Sequence, residues 1–178
     1  MVLLPVLLTN FVQAQGFLKV DTEKYIEWSD SLYLKWSDYQ YRPNQTGKFK
    51  SNALTAVFHS VRGGVIKGKP EFQVKVLFVK EDSWTTDTLN IALLAHEKLH
   101  FDIAELYGRK IRKQIQAISK KGVSDMSEYR KYIRYFLNEF KKVSIIYDKE
   151  TEHGNIPEEQ ARWFEFVSSE LQRLHKYM

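Results

Sequence analysis

The chain has 178 residues, enough for one domain whose core needs no disulfide or metal to hold it. Hydrophobic residues make up 43% and charged residues 28%, which excludes a disordered or fibrous chain. It has no cysteine, so thiolate zinc sites, iron–sulfur clusters and cysteine nucleophiles are excluded, and any metal must be held by nitrogen or oxygen.

The first element in chain order is an apolar run, Met1–Phe11, followed by Val12-Gln13-Ala14. Small residues stand where a signal peptidase reads, so residues 1–14 are expected to be a secretory signal and 15–178 the mature domain. No Lys or Arg precedes the run, which leaves the initiator amine as its only positive charge. The run is too short to span a bilayer, which takes about 20 apolar residues. Localisation is therefore expected to be secreted or periplasmic, outside the cytoplasm, with no transmembrane segment after the signal is removed.

Leu32–Trp36 alternates apolar and polar residues and reads as a strand. Tyr39–Phe49, with Pro43, Asn44 and Gly47, reads as a loop. Ala53–Ile66 alternates again, with Gly63-Gly64 expected as a bulge or tight bend, and Phe72–Val79 is a third strand. From Leu89 the apolar positions recur at steps of three and four as far as Ile118, one stripe of a long helix that Thr86, Asp87 or Thr88 is expected to cap. Further helices fit Ser127–Val143 and Pro157–Tyr177, the latter with Trp163, Val167, Leu171 and Leu174 inward. Strands come first and helices after, so the expected class is α+β: a short N-terminal antiparallel sheet packed on three helices.

The net charge is +5. Between Gly108 and Lys142, eleven Lys and Arg meet only Asp125, Glu128 and Glu139. This stretch reads first as a solvated helix surface, and second as a face for an anionic envelope polymer.

The chemistry is carried by Ala95-His96-Glu97-Lys98-Leu99-His100, an H-E-x-x-H sequence inside the helical stripe. Two histidines four apart lie on one face of a helix, where both imidazoles can grip one ion. Glu97 is turned about 100° from His96, beside that ion, where it can take a proton from an attacking water. Chance produces such a match about once in a hundred chains of this composition, and two adjacent buried histidines with nothing to bind would be costly polar groups. Zinc, one per chain, suits the donor set.

A third ligand is needed. The metzincin spacing would place a histidine where Leu106 stands, and Glu105 and Asp102 point away on a continuous helix. His59 in a strand and His175 in the last helical turn read as structural. His153 lies in Tyr147–Asn155, a polar segment expected to be a turn between two helices, and is the preferred third ligand. Asp148, Glu150 and Glu152 are the alternatives.

Taken together, Leu34–Tyr39, Ser83-Trp84, Leu94–Glu105, Tyr147-Asp148, Thr151, His153-Gly154, Gln160 and Trp163 resemble the bacterial family called domain of unknown function 922. The resemblance implies a secreted, zinc-dependent, metallopeptidase-like site with His96 and His100 as ligands and Glu97 as base. It also supports His153. It implies parts for Asp102 and Glu105 beside the metal ligands, accepting an imidazole N–H, although Glu105 can instead pair with Arg109 at i+4.

The expected function is a zinc-dependent peptidase in which Glu97 moves the proton and Tyr147 donates to the developing oxyanion. An edge strand, Phe72–Val79, could align an extended peptide. The partner is then a protein or peptide substrate. One alternative is an amidase acting on cell-wall peptides. Another is a non-catalytic envelope binding module in which the metal only staples helix to loop. Nucleic acid is not an expected partner, since the basic residues carry no recognition motif.

Overall fold

The computed structural model describes residues 19–43 and 51–178. The expected signal segment, and part of the expected loop after Tyr39, lie outside the described residues. The class is α+β. Strands β1 (Tyr25–Glu27), β3 (Val57–Ile66) and β4 (Lys69–Val79) form one antiparallel sheet in the order β1-β4-β3, and β2 (Ala53–Leu54) pairs with β5 (Trp84–Thr85). Three helices follow: α1 (Ile91–Lys120), α2 (Met126–Glu150) and α3 (Pro157–Arg173). Among the described residues, no helix is long and apolar enough to cross a membrane.

Several boundaries differ from the sequence reading for local reasons. Leu32–Trp36 is not a strand. The Asp38 carboxylate accepts the Lys35 N–H at 2.8 Å and the Tyr39 N–H returns to the Trp36 carbonyl, so the chain curls into a short 3-10 turn at Trp36–Asp38. That turn sends Leu34 and Tyr39 into the core. The expected Ala53–Ile66 strand is interrupted at Thr55-Ala56, where the Ala56 N–H bonds the Ser83 hydroxyl. The β3–β4 ladder runs through Gly63 and Gly64 in unbroken register, so no bulge forms there. The expected edge strand, Phe72–Val79, is central: β1 and β3 flank it, and Arg112 caps the Val74 carbonyl at 3.0 and 3.1 Å. Its Leu77-Phe78 end has strand partners on both sides and is closed to an added peptide.

α1 begins at Ile91, two residues after Leu89, because the Asn90 side chain accepts the Leu93 N–H and caps it. Its middle is buried on nearly every side: Leu99, Phe101, Ile103, Ala104 and Leu106 are all closed off from solvent. Gly108 lets the helix lie against the sheet, since a Cβ there would sit 2.5 Å from Val76 Cγ2.

Two polar clamps hold α1 in place. The indole N–H of Trp28 donates to Asp102 at 2.8 Å, and Lys98 reaches the other oxygen of that carboxylate. Glu105 pairs with Arg109 at 2.9 Å and Arg112 at 2.8 Å, while Arg109 also donates to the Leu171 carbonyl and lies over the Trp28 ring. Asp102 and Glu105 therefore fasten α1 to the strands and to α3, with the Glu105–Arg109 pair formed at i+4, and neither reaches an imidazole. Arg109 and Arg112, counted in the basic stretch, belong to this interior network, which reduces the exposed positive face.

α2 is longer than expected. The inward residues Tyr129, Ile133, Phe140, Ser144 and Tyr147 keep helical spacing beyond Val143, and the helix runs to Glu150. α3 ends at Arg173 with Trp163, Val167 and Leu174 buried, and the rest continues as a 3-10 turn, His175–Tyr177. His175 is exposed there.

His59 is structural, as expected: its Nε2 meets the Ala104 carbonyl at 2.8 Å and its ring packs on Phe140. Burial, opposed by that hydrogen bond, lowers its pKa to about 4. Because the folded value lies below the unfolded one of about 6.5, only the unfolded chain takes up a proton between those values. The stability His59 contributes is complete above pH about 6.5 and is lost as pH falls toward 4. The melting temperature of His59→Gln is expected to fall less steeply than that of the wild type over this window, as followed by circular dichroism; parallel slopes would contradict the assignment.

Candidate metal centre

The centre forms where the second turn of α1 meets the last turn of α2. The link between the two helices is short, so they run antiparallel and the start of α1 lies beside the end of α2. His96 and His100 project from α1 with ring centroids 4.9 Å apart, and both rings pack on Tyr147 of α2. Asp148, the next residue, turns its carboxylate to them. Its Oδ1 lies 3.2 Å from His96 Nε2 and 2.8 Å from His100 Nε2. One ligand atom from each of His96, His100 and Asp148 lies within 4.8 Å of the others, a spacing that fits one metal ion.

His153 approaches from the following turn, with Nδ1 3.5 Å from the same Asp148 oxygen, and is half exposed. The turn that carries it is tight. Glu152, His153 and Gly154 all have positive φ, at 46°, 57° and 85°. Gly154 is required there, because a Cβ would lie 2.9 Å from the Cβ of His96.

The electrostatics couple Asp148 to both rings. Asp148 is half-buried, which alone would raise its pKa, but the hydrogen bonds and charges of His100 and His96 hold it well below the usual carboxylate range. Burial alone would lower His100, yet its bond to Asp148 and the charges of Asp148 and Glu97 outweigh burial and raise it. Two imidazoles and an ionised carboxylate form a nitrogen–oxygen donor set suited to a borderline divalent ion.

Glu97 is 4% exposed, and its Oε2 meets no hydrogen-bond partner. A buried carboxylate oxygen without a donor is costly unless something else uses it. Tyr147 is fully buried, with its hydroxyl directed to Gln160 Oε1 at 2.8 Å and to the His96 carbonyl at 3.1 Å. It serves as a platform beneath both rings, and its proton is committed to these acceptors.

The structure thus brings His96, His100 and Tyr147 together and adds Asp148 Oδ1 beside both rings. Sequence reasoning ranked Asp148 behind His153 because it ended the helix at Val143. The spacing Phe140, Ser144, Tyr147, Thr151 was the available signal, since it continues the buried stripe to the C-cap. Gln160 and Thr151, which both face His96 Nδ1, were visible only as part of a family pattern.

The family model for a bacterial protein of unknown function, DUF922, matches residues 15–154. The chain belongs to this family. Neither a curated protein nor a solved structure matches it.

Asp148→Ala is expected to weaken binding of a divalent transition-metal ion by more than about 100-fold, and His153→Ala by less than about 10-fold, in calorimetric titration. Equal losses from the two would make His153 a ligand of the same rank.

Proposed function

We propose that this protein is a secreted or periplasmic zinc-dependent hydrolase of the metallopeptidase type. His96, His100 and Asp148 hold the metal, Glu97 is the general base, and the substrate is a protein or peptide. The observation that carries this reading is the unpartnered, buried carboxylate oxygen of Glu97, one residue from a ligand and rotated away from the ligand face.

Bound zinc would supply Lewis acidity, which acidifies water to a pKa of about 7 and polarises a carbonyl. Glu97 Oε2 accepts the proton of the attacking water and returns it to the leaving amine, so the carboxylate ends each cycle ionised. His153, half exposed beside Asp148, would donate from its ring to a developing oxyanion. Tyr147, first considered for that donation, holds the two rings from beneath. The apolar Met1–Phe11 run, directly before the family match at residue 15, supports export. The exposed lysines of the basic stretch suit an anionic envelope polymer as a second partner.

Glu97→Gln is expected to keep its zinc, measured by metal analysis, while hydrolysis of casein or of cell-wall peptides falls about 100- to 10,000-fold. Cleavage at the wild-type rate would remove Glu97 from the mechanism. Turnover of wall fragments alone would favour the amidase. No turnover, together with unfolding on chelation, would favour the metal-stapled binding module.

A further inference from the structure

We infer that Gln160 and Thr151 are positioning residues that hold the proton of His96 on Nδ1 and so present its Nε2 lone pair to the site. The inference deepens the metal reading above and rests on it only for its effect on affinity.

His96 Nδ1 faces two oxygens: Gln160 Oε1 at 3.1 Å and Thr151 Oγ1 at 3.5 Å. Neither has a proton to give. The Thr151 hydroxyl donates to the Tyr147 carbonyl at 2.8 Å and accepts the Gly154 N–H at 3.3 Å. Gln160 Oε1 already accepts from the Tyr147 hydroxyl at 2.8 Å. A ring nitrogen that meets only acceptors must carry the hydrogen. Nε2 faces Asp148 Oδ1 at 3.2 Å, an acceptor as well, so of the two ring protons only the one on Nε2 lies where a cation at the site would replace it. The hydrogen-bond pattern behind the ring thereby leaves Nε2 as the nitrogen that takes a metal.

Three segments cooperate in this. Tyr147 orients Gln160 from α2, Gln160 reaches the ring from α3, and Thr151 closes the gap from the C-cap of α2. Gln160 lies beyond the residues matched by the family model, so α3 adds a part that those residues lack. Partners of this kind typically change metal affinity by about 10- to 100-fold.

The test uses the full chain. Nitrogen-15 spectra of the metal-free protein report whether His96 Nδ1 is protonated. Zinc affinity is measured for Gln160→Leu and Gln160→Glu. The expected result is an Nδ1–H ring, a loss of about 10- to 100-fold in Gln160→Leu, and recovery to within about threefold in Gln160→Glu, which keeps the acceptor. A ring protonated on Nε2 alone, as an overturned Gln160 amide would produce, overturns the inference. So does a folded Gln160→Leu that binds zinc as tightly as wild type. If that variant fails to fold, the wild-type spectrum decides. A wild type that binds no zinc defeats the metal reading, while the spectrum still decides the tautomer.

Discussion

The centre depends on one carboxylate oxygen. Asp148 Oδ1 lies within reach of three imidazoles contributed by two segments of chain, His96 and His100 from α1 and His153 from the turn after α2. Bringing an ionised carboxylate beside one buried and one partly buried histidine costs desolvation, which the contacts of both rings with Asp148 offset. Their convergence defines the candidate metal site, and it sets what the surrounding elements must do.

Those elements are built for rigidity. The fold fixes α1 by surrounding it. The sheet packs on one side, close enough that residue 108 must be glycine, and α2 and α3 cover the others. The Trp28–Asp102–Lys98 contacts and the Glu105–Arg109–Arg112 cluster then restrain the helix against sliding or rotation. Both clusters begin within ten residues of the histidines. Their carboxylates never touch the rings. They hold the helix, and orienting the ring falls to neutral groups, Gln160, Thr151 and Tyr147. A neutral acceptor behind His96 avoids adding a second negative charge beside Asp148 and Glu97.

Much of the site could be read from residue spacing. His96, Glu97 and His100 follow from the 3.6-residue period, because two positions four apart share a helical face whatever the rest of the chain does. The structural roles of His59 and the Glu105–Arg109 pair were likewise accessible, one from its strand and the other from its i+4 spacing. Asp148 was not ranked first because polar residues near the end of a helix look the same to a periodicity argument whether the helix stops at 143 or at 150. The short turn at Trp36–Asp38 was missed because local alternation imitates a strand until the Asp38 side chain captures the backbone.

By itself the amino-acid sequence determined the α+β class, the helix that carries the two histidines and the placement of Glu97 beside them, since these rest on interactions within a few residues. Only the tertiary structure decided that Asp148 comes closest to both rings, that Phe72–Val79 is the centre of its sheet, and that Gln160 stands behind His96. Those contacts join residues 48 to 64 positions apart, and no local pattern encodes a distance across two packed helices.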